Sequence, residues 1–140
     1  MIRAAAFVAA GLLSLAPARA QDAIYTGTLK CDAISAMDLP ALNARVIITQ
    51  QGDRLTFIRE FRSSDGSGSG ARETATGTLA GGKATLTGGA SVTSARGNTT
   101  QLQSKFDVTL VNNTISLTGT QRWVSRTRNA ERGCAATLGR

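Results

Sequence analysis

Apolar and polar residues alternate along most of the chain beyond residue 21, the period of two that a strand shows when one face meets a core and the other meets water. The alternation predicts strands over 23–31, 44–51, 54–62, 72–80, 83–94, 99–111 and 114–124. In the first, Tyr25, Gly27, Leu29 and Cys31 share a face. In the last two, Leu102, Phe106, Val108 and Leu110 face the same side as Ile115, Leu117 and Trp123. The opposite side there carries Gln101, Gln103, Lys105, Asp107 and Thr109, then Ser116, Thr118, Thr120 and Arg122.

The connections are short. Gly52-Asp53, Gly81-Gly82 and Asn112-Asn113 are two-residue links, and Gly and Asn tolerate the positive φ that tight hairpin turns require. Two connections are longer. Segment 32–43 is polar and contains Pro40; a short helical turn fits there, with Leu39 and Leu42 placed to plug one end of the fold. Segment 63–70, SSDGSGSG, reads as a flexible loop tip.

A meander with one apolar face must cover that face with a helix or curl onto itself, and no amphipathic helix of adequate length is visible. The expected fold is therefore all-β: a small antiparallel up-and-down barrel of 7–8 strands, calycin-like, with the segment after Trp123 adding the eighth. A two-sheet β-sandwich is the alternative. Short echoes, Thr26-Gly27-Thr28-Leu29 with Thr76-Gly77-Thr78-Leu79 and Leu86-Thr87-Gly88 with Leu117-Thr118-Gly119, put glycine at inward positions, where it permits the sharp coiling of a closed sheet.

Residues 1–20 read as a bacterial-type export signal. Arg3 supplies the positive start, 4–15 an apolar stretch too short to span a bilayer, and Ala18-Arg19-Ala20 a small-x-small cleavage site. The mature domain would be 21–140, periplasmic or secreted, without a transmembrane segment. In that compartment the two cysteines, Cys31 and Cys134, are expected to oxidise and tie the tail to the first strand at the barrel seam.

Charge narrows the partners. The formal net charge is +7, and the mature chain keeps a basic tail in which Arg122, Arg126, Arg128, Arg132 and Arg140 stand against Glu131. The tail reads as a solvated basic face, with weak contact to anionic surfaces as its functional alternative. Nucleic acid is not expected, because the chain is exported and Trp123 alone interleaves with the arginines.

Catalytic signatures are missing. With no histidine there is no Ser-His-Asp triad, no Cys-His pair and no histidine-bound zinc. No phosphate-cradling loop, GxSxG or dinucleotide fingerprint occurs, and nothing in the spacing brings Glu60, Glu73 or Asp107 together. A non-catalytic protein without cofactor or metal is expected.

What stands out is polarity on the inward face, where burial is costly unless compensated. Arg59 lies in the Leu55, Phe57, Phe61 alternation, Glu73 in that of Ala75, Gly77 and Leu79, and Gln121 between Gly119 and Trp123. Arg59 and Glu73 form either an inert ion pair at the rim or, with Gln121 and Trp123, the anchor of a small acidic ligand at the barrel mouth. Trp123 equally suits closure of one end of the core. The runner-up function is a periplasmic inhibitor or interaction module working through loops 32–43 and 63–70. In size, export signal, long-range disulfide and meander, the chain is similar in architecture to small exported barrels such as lipocalin-like carriers and barrel-type inhibitors of lysozyme or proteases, a likeness that implies no function by itself.

Overall fold

A computed structural model describes residues 22–61, 70–94 and 96–140. Eight strands follow one another: β1 Ala23–Cys31, β2 Leu42–Gln51, β3 Arg54–Phe61, β4 Ala71–Thr78, β5 Lys83–Thr93, β6 Thr99–Val111, β7 Thr114–Val124 and β8 Asn129–Gly139. Each pairs antiparallel with the next, and β1 pairs antiparallel with β8, closing the barrel. Closure explains the eighth strand. In a meander successive strands reverse direction, so the first and last can pair antiparallel only when their number is even. The sandwich alternative is set aside.

The turns carry the backbone that their residues suggested. Asn112 and Asn113 have φ of 49° and 66°, and Gly81 and Gly82 have 59° and 74°. Two boundaries differ from the alternation by two residues, the others by no more than one. β2 begins at Leu42 rather than 44, because Asn43 and Leu42 complete the ladder to Lys30 and Cys31 of β1. β4 ends at Thr78 rather than 80, as the Leu79 amide turns to the Asp53 carbonyl at 2.7 Å. Segment 32–41 makes a single 3-10 turn, Ser35–Met37, and a bridge between Ile34 and Leu39. Of loop 63–70, residues 63–69 lie outside the described residues, as do residues 1–20, which were expected to form an export signal.

Cys31 and Cys134 face each other across the β1–β8 seam and form a disulfide. Among the described residues no helix is long and apolar enough to cross a membrane.

Strands pack closely where glycine faces inward. A Cβ on Gly88 would run into the Thr74 carbonyl oxygen, and one on Gly119 into that of Lys105. The sheet coils tightly at these positions, and a methyl group cannot be accommodated without backbone movement. Gly119→Ala should destabilise the barrel by about 1–3 kcal/mol, the usual cost of overpacking. Gly139→Ala, at a position with nothing within 4 Å of the added carbon, should leave the urea midpoint unchanged. Equal midpoints for the two variants would refute the close-approach explanation.

The interior is layered. One apolar cluster fills the body of the barrel around Phe57, Phe106, Leu29, Ile48, Leu55, Leu86, Ile115 and Leu117. A second, smaller cluster sits at one end around Ile34, Val92, Leu102 and Trp123, with Met37, Leu39 and Phe61 packed against it. Between them the strands contribute polar side chains instead.

Candidate functional site

Those polar side chains come from five strands. Directly opposed residues of an antiparallel pair point to the same face, so the register Arg59↔Glu73 places a cation of β3 beside a carboxylate of β4 inside the barrel. A second row, Ser104↔Gln121↔Arg132, crosses β6, β7 and β8. The two rows meet in the interior.

Glu73 is the centre. Arg59 Nε donates to its Oε2 at 2.6 Å, Gln121 Nε2 donates to Oε1 at 2.8 Å and to Oε2 at 3.1 Å, and the Ser104 hydroxyl donates to Oε1. Gln121 relays the network outward, its Oε1 accepting from Arg132 Nε at 3.0 Å. Arg132 Nη1 also reaches the Pro40 carbonyl at 3.4 Å. Several donors on one buried carboxylate compensate for the water it has lost, which an isolated one could not do.

The ion pair is not at the rim. Arg59 is 3% exposed and Glu73 0%. Arg59 lays its guanidinium on the Phe61 ring, 4.2 Å from the centroid, and Phe61 meets Trp123 edge to face at 6.2 Å. Among the described residues two buried donors, Arg59 Nη2 and Trp123 Nε1, have no hydrogen-bond partner. Such orphaned groups are uncommon in folded proteins and require a reason.

Arg132 corrects the reading of the basic tail. Instead of joining a solvated face, it is buried, because it shares the inward parity of Cys134, Ala136 and Leu138. Desolvation lowers its pKa, and the like charge of Arg59 lowers it further, while Glu73 and Asp32 act in the opposite sense. Of the other tail residues, Arg128 donates to the Ala36 carbonyl at 2.8 Å and so pins segment 32–41, and Arg122 donates to Asn129 at 2.9 Å; both are exposed, as is Arg126.

Above the polar layer opens a cavity of about 550 Å³. Arg59 and Arg132 lie at its floor, Met37, Leu39, Leu42, Phe61, Val92 and Trp123 give apolar walls, and Ser94, Asn98 and Thr100 add polar groups. Segment 32–41 folds over this mouth. The opposite end of the barrel is closed differently, by Tyr25, whose hydroxyl donates to Gln50 at 3.0 Å, and Gln50, which donates to the Gly52 carbonyl at 3.0 Å.

Arg59, Glu73 and Gln121 are thus brought together, and Trp123 both closes the mouth cluster and lines the cavity. Sequence reasoning missed Ser104 and Arg132. Parity pointed to each, Ser104 between inward Leu102 and Phe106, and Arg132 two residues before Cys134. Among the described residues no group of three or more His, Cys, Asp or Glu side chains is gathered for a metal ion. No protein-family model, curated protein or solved structure matches the chain.

Proposed function

We propose that this chain is an exported, non-catalytic binding protein, periplasmic or secreted, that holds a small acidic ligand at the barrel mouth. One observation carries the reading: two buried guanidiniums lie by one carboxylate at the floor of an open cavity, Arg59 bonded to it directly and Arg132 through Gln121, and among the described residues Arg59 keeps an unpartnered donor. A layer designed for stability alone would pair every buried donor, since an orphaned one costs about 1–3 kcal/mol. An incoming anion would satisfy Arg59 Nη2 and relieve the repulsion between Arg59 and Arg132. The cavity volume falls within the roughly 300–1,000 Å³ typical of small-molecule sites. The disulfide suits an oxidising compartment.

Native mass spectrometry of protein purified from the export compartment tests this. The expected spectrum contains a bound small acid that is released on denaturation and is lost from Arg132→Met while the variant still melts cooperatively. A protein partner that co-purifies in place of any small acid would overturn the reading in favour of an interaction module.

A further inference from the structure

The floor of the cavity has a definite charge. Among the described residues the buried ionised side chains are Arg59, Arg132 and Glu73, two cations and one anion. A guest with a single negative charge brings this layer to neutrality. A dianion leaves surplus negative charge beside the buried Glu73 carboxylate, and uncompensated buried charge is costly in either sign.

The donors available to a guest are also defined. Glu73 already accepts from Arg59, Ser104 and Gln121, which leaves the η nitrogens of the two arginines. Arg59 Nη2 is unpartnered, and Arg132 Nη1 holds Pro40 only at 3.4 Å. Guanidinium edges of this kind suit a planar, two-oxygen head. Above them the walls change character. Met37, Leu39, Leu42, Phe61, Val92 and Trp123 offer hydrocarbon and ring faces over the depth of the cavity, a lining that a hydrophilic acid would leave unused and that an apolar chain or ring would fill.

Building on the mouth as the ligand site, we propose that the guest is an amphipathic monocarboxylate that enters head first, its carboxylate on Arg59 and Arg132 and its hydrocarbon body against Phe61 and Trp123. Segment 32–41, which supplies Met37 and Leu39, then lies over the hydrocarbon end.

Trp123 is the sole tryptophan of the chain and lines the cavity, so its emission reports occupancy directly. The intact oxidised protein is titrated with dodecanoate below its micellar concentration. Saturable binding with a shift in Trp123 emission is expected. Dodecanol and dodecyltrimethylammonium should bind at least about tenfold more weakly. Dodecyl phosphate, held as a dianion well above its second pKa of about 6, should do the same. Arg132→Met should weaken dodecanoate by a similar factor, and Leu39→Asp, on a half-exposed wall, should do so without touching the floor.

Hydrophilic acids separate this proposal from the one beneath it. If citrate, succinate or inorganic phosphate shifts the Trp123 emission and dodecanoate does not, the mouth remains an acid site and the amphiphile assignment is overturned. If neither set binds, both fall. Equal affinity for dodecanoate and dodecanol overturns the carboxylate role of Arg59 and Arg132.

Discussion

Loss of the Cys31–Cys134 bridge should lower the stability of the barrel by about 4–5 kcal/mol, the entropy that a cross-link over so long a loop removes from the unfolded chain. The sequence separation is 103 residues, so the bridge encloses nearly all of the described barrel. Its two half-cystines are direct register partners across the β1–β8 seam, which means the folded sheet already holds them together by backbone hydrogen bonds. The effect therefore falls mainly on the unfolded state. Urea denaturation of the oxidised protein and of the Cys31→Ser, Cys134→Ser double variant measures it. For a domain whose total stability is about 5–15 kcal/mol, the variant should unfold at a far lower midpoint or fail to fold at physiological temperature. Coincident midpoints would show that the unfolded chain retains structure that makes the cross-link redundant.

Glu73→Gln should cost about 3–5 kcal/mol, the penalty for breaking a buried charge pair by removing one partner. The glutamine keeps the shape but leaves Arg59 and Arg132 buried with no anion beside them, and its NH2 must face a donor on one side or the other, Arg59 or the Ser104 and Gln121 pair. Arg59→Met should cost less, about 1–3 kcal/mol, because Glu73 retains its donors from Ser104 and Gln121 and the nearby charge of Arg132. The Arg59→Met, Glu73→Gln double variant should be more stable than Glu73→Gln alone, since deleting Arg59 removes a cation that has lost its counter-charge. Thermal and urea melts of the three variants give the coupling. Should Arg59→Met prove as damaging as Glu73→Gln, Arg59 would be a structural member of the layer rather than a donor held in reserve for a guest.

Much of this arrangement is legible in the sequence. Alternation assigned Arg59, Glu73 and Gln121 inward because each is flanked at two-residue spacing by unambiguous apolar neighbours, such as Phe57 and Phe61 around Arg59. The turns were legible because Gly81-Gly82 and Asn112-Asn113 each suit positive φ. Arg132 was not read, since its surroundings, Asn129-Ala130-Glu131-Arg132-Gly133, contain no alternation of their own. Its parity emerges only when counted back from Cys134, and the arginines around it suggested a solvated face instead. Ser104 was passed over for a different reason: serine is small and neutral, and its importance comes wholly from the carboxylate that β4 brings to it. The extra residues at the start of β2 depend on the backbone of β1, a partner that side-chain pattern does not reveal. Pattern thus shows direction, whereas the convergence of five strands on one carboxylate depends on the closure of the sheet.

That closure has a kinetic side. Seven of the eight strand pairings join neighbours in sequence and can form as local hairpins, with little chain to bring together. The eighth, β1 with β8, spans nearly the whole domain and must wait until β8 is available. Gln121 can meet Glu73 before then, and Arg132 can join Gln121 within the β7–β8 hairpin, whereas its contact with the Pro40 carbonyl, in the segment that follows β1, waits for the seam. Closing the barrel and covering the mouth are therefore one transition: while the seam is open, the nascent sheet has an exposed edge and segment 32–41 lacks its contacts to Arg128 and Arg132, and both are resolved when β1 and β8 pair.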